Sequence, residues 1–70
     1  MRILGIDPGI ARCGWGVIKV QSSKLKVQSF GCVETKVGTL TEKRLLIVHE
    51  EIIKLINKYK PDSIAVEELF

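Results

Sequence analysis

The stretch RILGIDPGIARCGWGVIKV, residues 2–20, decides the fold. Its first six residues are an apolar run closed by Pro8-Gly9, the pattern of a short buried strand. The strand ends on a carboxylate, Asp7. Asp7-Pro8-Gly9-Ile10 fits a type II turn, in which proline sets φ at the second position and glycine accepts positive φ at the third. Gly14 and Gly16 then flank Trp15 and open a second strand over residues 14–20. A surface strand end tolerates any polar residue, yet here the backbone is pinned on both sides of a single aspartate.

Working outward, residues 25–34, LKVQSFGCVE, read as a third strand. Gln21-Ser22-Ser23-Lys24 joins it to the second, so a hairpin is expected. With Ser22-Ser23 as a two-residue loop, Val20 faces Leu25, Ile18 faces Val27, Trp15 faces Phe30 and Cys13 faces Cys32. A one-residue slip would exchange the two faces. Apolar pairs fall on both faces near Gly14 to Gly16, which suggests a sheet covered on both sides there. Lys19 faces Lys26 in this register. That repulsion either argues against the register or marks a polyanion site.

Thr39-Leu40-Thr41-Glu42 matches a capping box, with Thr39 as N-cap and Glu42 at the third helical position. Leu45, Val48, Ile52, Leu55, Ile56 and Tyr59 recur at helical spacing, and Leu46 and Ile53 widen the stripe. Lys43, Arg44, Glu50, Glu51, Lys54, Asn57 and Lys58 fill the wet side. Lys58 and Lys60 suit the C-terminus of the helix, and Pro61 ends it. Residues 63–67 form a last short strand. The order is β-β-β-α-β, without repeats or linkers.

Seventy residues, 46% of them hydrophobic, bound the chain to one small domain with a marginal core. The final IAVEELF reads as a buried strand with no polar tail, so residues 1–70 are expected to be the N-terminal part of a single domain. No apolar run reaches the roughly 18 residues of a membrane span, and MRILGID is too short for a signal peptide. Two cysteines without a framework suit a reducing cytoplasm. A net charge of +3 permits an acidic partner such as nucleic acid, although on charge alone a solvated lysine-rich surface is the favoured account.

A helical crossover returns to a strand parallel to one already in the sheet. If IAVE lies parallel beside ILGID, the two strands end in Asp7 and Glu67 at neighbouring carboxyl ends, where open α/β sheets place their ligands. Gly5 and Ala65 precede the acids on the same face. Two carboxylates so close repel, and a divalent magnesium or manganese ion removes the conflict. Such sites often hold two ions about 4 Å apart, flanking a phosphate during in-line displacement. Gly9, Gly14 and Gly16 then leave room for a bulky polyanion above Asp7.

These residues resemble the RuvC family of Holliday-junction resolvases. The resemblance rests on MRILGIDPGIARCGWGV, SFGCVET and PDSIAVEELF, and runs over essentially the whole chain. It implies an RNase H-like α/β fold with a mixed sheet and one helix in this portion. It also implies a homodimer that cuts two opposed strands of four-way junction DNA with magnesium or manganese, two ions per site in the full-length protein. RuvA and RuvB, the branch-migration proteins, are its implied partners. Asp7 and Glu67 match the family's first two catalytic, metal-binding acids. Phe70 matches an aromatic placed near the junction's bases, and Arg12 and Gly14 are further candidates for DNA contact. Family members carry two more catalytic aspartates on a later helix. This chain stops before them, so residues 1–70 alone are expected to be inactive.

Rival readings are an ATP-binding domain of the actin, Hsp70 or sugar-kinase kind and a non-catalytic nucleic-acid-binding member of the same fold. Glu67, an acid so soon after one helix, favours the nuclease. G-x-G-x-x-G is missing, which removes a dinucleotide-binding reading. His49 reads as structural or solvated, Cys13 and Cys32 as small buried hydrophobes, and Trp15 as packed on Phe30.

Overall fold

The computed structural model describes residues 1–9 and 12–66. Four strands and one helix follow in the expected order: β1 (Arg2–Asp7), β2 (Arg12–Gln21), β3 (Lys24–Glu34), α1 (Thr41–Tyr59) and β4 (Ser63–Val66). They form one mixed sheet of order β3-β2-β1-β4. β1 and β2 are antiparallel, and the crossover through α1 returns β4 parallel to β1, pairing Gly5 with Ala65 and Ile6 with Val66.

Alternation along the strands sorts the side chains. Leu4, Ile6, Cys13 and Val17 turn to one face and form the buried core. Val48, Ile52, Leu55, Ile56 and Tyr59 of α1 pack against it, so the apolar stripe read from the periodicity is the packed face. Leu4 and Val17 are wholly inaccessible, each worth about 1.5–3 kcal/mol of transfer free energy. Leu45 and Leu46 stay more than half exposed. Among the described residues only α1 lies against the sheet; the other face, expected to be covered near Gly14 to Gly16, is open.

The hairpin turn is as expected. Gln21 pairs with Lys24, and Ser22 and Ser23 take left-handed φ values of 45° and 63°, the type I′ geometry that matches strand twist. The register holds through Val20–Leu25, Lys19–Lys26 and Ile18–Val27, and then shifts by one. Gln28 is the extra residue of a bulge in β3. Beyond it Trp15 faces Gly31, and Gly14 faces Cys32. The expected Trp15–Phe30 and Cys13–Cys32 pairs are therefore corrected. Trp15 lies across Gly31, where a Cβ would come within 2.8 Å of its ring, and its centroid is 6.0 Å from that of Tyr59. Phe30 is 79% exposed on the open face. Cys13 is buried, but Cys32 is exposed on the opposite face and is no core residue.

Two turn readings also change. Thr39 does not cap α1. Its N–H donates to Lys36 O at 3.2 Å, in a turn that puts Gly38 at φ 90°. This turn moves the helix start along the chain, so Leu40 is the N-cap and makes no side-chain cap bond. Arg44, read as a wet-side residue, is half-buried, and its Nη2 donates to Lys36 O at 3.0 Å. At the other end Lys60 adopts φ 47° and its N–H closes on Ile56 O at 2.9 Å before Pro61. Gly9 does not take positive φ, so the turn after Asp7 is not type II. Glycine is needed there because a Cβ would collide with the Arg12 carbonyl oxygen.

β4 is locked to β1 at its start. The Arg2 N–H donates to Asp62 Oδ2 at 2.8 Å, the Asp62 N–H donates to Arg2 O at 2.8 Å, and Arg2 Nη1 reaches Tyr59 O at 3.1 Å. These bonds fix the parallel register that carries both strands toward the opposite rim.

Candidate metal centre and nucleic-acid interface

Asp7 is the last residue of β1 and is exposed at the carboxyl end of the strand. It follows Ile3 and Gly5 on the open face, away from α1. Gly14 stands opposite it on β2 and Gly16 opposite Gly5, while Ala65 of β4 flanks Gly5 on the other side. Four positions around the carboxylate therefore carry no side chain larger than a methyl. The result is a shallow trough of about 490 Å³ with Asp7 at its end. A Cβ on Gly14 would sit 3.7 Å from the Asp7 Cβ. Among the described residues no side chain donates a hydrogen bond to the Asp7 carboxylate.

Asp7 thus offers hard oxygen donors in open space, which fits a magnesium-like or manganese-like ion. Among the described residues no group of three or more potential ligands gathers, so Asp7 alone does not complete a site. Glu67 and Phe70, the other acid and the aromatic expected near it, lie outside the described residues, as do Ile10 and Ala11. The last pair between β1 and β4 is Ile6 with Val66, one residue before each acid.

Arg12 begins β2 at the same rim. Its Nη2 lies 3.3 Å from Glu34 Oε1, with both side chains largely exposed. A hydrogen bond with Cys32, then the Glu34 charge, raises the pKa of the guanidinium. An arginine held this way is oriented along β3 and only partly free to meet a phosphate. Sequence reasoning missed this pair, although a signal existed. Arg12 and Glu34 bracket the hairpin with opposite charges, and they become opposed only if β3 holds one residue more than a regular ladder allows. His49 is exposed, as expected of a solvated histidine. No helix among the described residues is long and apolar enough to cross a membrane.

A mixed sheet of this order, with one crossover helix and an acid at the carboxyl end of its first strand, is an RNase H-like arrangement. The comparisons name the family. A profile described as "Crossover junction endodeoxyribonuclease RuvC" matches residues 3–70. The protein of that name from Fusobacterium nucleatum is 46% identical over all 70 residues, which span 37% of its own length. The one from Ruminiclostridium cellulolyticum is 44% identical, with 42% of its length spanned. The structure of Thermus thermophilus RuvC in complex with Holliday junction substrate superposes with a TM-score of 0.89 at 30% identity, over the whole of this chain and 45% of that one. The chain belongs to the RuvC family of crossover junction endodeoxyribonucleases.

Proposed function

We propose that this chain is the N-terminal part of a metal-dependent endodeoxyribonuclease that resolves four-way DNA junctions, a single RNase H-like domain acting as a cytoplasmic homodimer. The carrying observation is Asp7 at the carboxyl end of β1, beside parallel β4, over a floor of Gly5, Gly14, Gly16 and Ala65. Glu67 is its partner in this reading. That assignment is supported by the parallel register, in which each acid follows directly on the last described pair. A divalent ion held at this rim would supply an activated water and neutralise charge on the scissile phosphate. Asp7 would hold that ion through its carboxylate oxygens. The bare floor lets a phosphodiester backbone approach to contact distance. Gly14 contributes by lacking a side chain, Arg12 by a charge at the rim, and Phe70 by an aromatic surface for a junction base.

The test is Asp7→Asn in the full-length protein. Cleavage of a four-way junction in magnesium or manganese is expected to fall at least about a hundredfold, with junction affinity kept within a few-fold, because loss of a ligand removes chemistry rather than phosphate contacts. Chelation of the metal gives the same separation in the unmodified protein. An Asp7→Asn protein that cuts at the native rate overturns the reading, as does a full-length protein that binds ATP and leaves junctions intact.

A further inference from the structure

The strand register sets three cations in one row across three neighbouring strands: Arg2 of β1 opposite Lys19 of β2, and Lys19 opposite Lys26 of β3. Like charges directly opposed across a ladder destabilise a sheet. The register stands, so the repulsion between Lys19 and Lys26 is a real feature of the fold.

Alternation puts the row on the helix side. Lys19 lies two residues beyond buried Val17, and Arg2 two residues before buried Leu4. Arg2 has a partner, since its guanidinium donates to Tyr59 O at the C-terminal end of α1. Among the described residues Lys19 and Lys26 form no ion pair or hydrogen bond through their side chains. Asp62, at the same end of the sheet, already accepts the Arg2 backbone N–H. The last turn of α1 adds Lys58, whose Nζ lies 5.3 Å from the centroid of the Tyr59 ring. Positive charge is therefore concentrated at this end without a matching carboxylate on the row.

We infer that Lys19 and Lys26 seat the phosphate backbone of duplex DNA on the helix side of the sheet. This rests on the junction-resolving reading and adds a second contact to it. The seat lies at the far end of β1 from Asp7, about 17 Å away at roughly 3.3 Å per residue, and on the opposite face. The duplex it holds is consequently not the stretch being cut but an arm leading away from the junction. Lysines on adjacent strands, about 5 Å apart, present a line of mobile point charges to a line of phosphates. Such contacts release counterions and carry no base sequence. The row adds affinity and leaves the chemistry at Asp7 unchanged.

The test uses the full-length protein carrying Lys19→Gln and Lys26→Gln. Junction binding is followed by fluorescence anisotropy over a range of salt, beside the cleavage rate at saturating junction. The expected result is affinity about tenfold weaker at low salt, with the slope of log K against log salt shallower by about one to two. The saturated cleavage rate stays within about twofold, and thermal stability does not fall, because a repulsion is relieved. Lys19→Arg with Lys26→Arg keeps the native slope. If the glutamine protein still binds and cuts with unchanged affinity and slope, the seat is overturned and the resolvase reading stands. A native protein that binds no junction overturns both.

Discussion

Asp7 and Gly14 stand directly opposite one another on β1 and β2, and the glycine leaves the space that a Cβ would occupy 3.7 Å from the Asp7 Cβ. The strand backbone supplies the carboxylate, and the neighbouring strand supplies the room around it. Gly14 has no positive φ, so its lack of a side chain is a matter of access rather than of backbone strain.

Gly14→Val in the full-length protein therefore separates activity from stability. Valine suits a strand, so the melting temperature is expected to change little. Junction cleavage is expected to drop at least about tenfold, since a branched side chain crowds the carboxylate and misplaces what it holds. Steady-state cleavage set beside a thermal melt checks this. Native activity in the valine protein would mean that the trough is not used.

Gly31 should behave in the opposite way. A Cβ there would meet Trp15 at 2.8–3.0 Å on the helix face, and Trp15 is wedged against Tyr59. Gly31→Ala is expected to destabilise the intact protein by about 1–3 kcal/mol through overpacking, with metal-dependent cleavage kept below the new melting temperature. Denaturant unfolding gives the value.

Tyr59 links the end of the helix to β3. A hydrogen bond with Ser29 pulls its phenol pKa below the ordinary value, and burial opposes that shift. A group whose folded pKa is depressed contributes stability above its unfolded pKa of about 10, and loses it as pH falls through the folded value. Ultraviolet titration of tyrosinate should thus show a midpoint below that of free tyrosine. Ser29→Ala should move it back upward. It should also remove the stability gain at alkaline pH while leaving stability at neutral pH nearly unchanged from this source.

Ser22 and Ser23 both occupy left-handed backbone, which costs an L-residue roughly 1–2 kcal/mol per position. Replacing them with Asn-Gly, the preferred type I′ pair, is expected to stabilise the protein by about 1 kcal/mol without altering cleavage. Paired unfolding curves measure it. An unchanged midpoint would indicate that the turn geometry changes with the serines.

Periodicity was enough for α1 and for its packed stripe of Val48, Ile52, Leu55, Ile56 and Tyr59, because a helix repeats its environment every few residues. It was enough for β1, β4 and the Ser22-Ser23 turn for similar local reasons. It failed at Thr39, where a turn closing on Lys36 competes with the capping box, and at Gly9, where close approach to Arg12 rather than positive φ requires glycine. For the candidate site, Asp7 and its glycine surroundings were legible, since a carboxylate between a buried run and Pro-Gly has few structural reasons to be there. Glu67 and Phe70 lie outside the described residues, and their part in the site remains with the proposed function.

By itself the sequence determined the order of the elements and carried the resemblance to the family, while it left open whether Lys19 opposite Lys26 was a fault of register or a polyanion site. Only the tertiary structure decided that Gln28 bulges out of β3, that Trp15 rests on Gly31 under α1, and that Cys32 and Phe30 face away from the core. The reason is physical: a propensity acts over a few neighbouring residues, whereas a bulge is chosen by the summed fit of two whole strands, here between the Arg12–Glu34 pair at one end and the Ser22-Ser23 turn at the other.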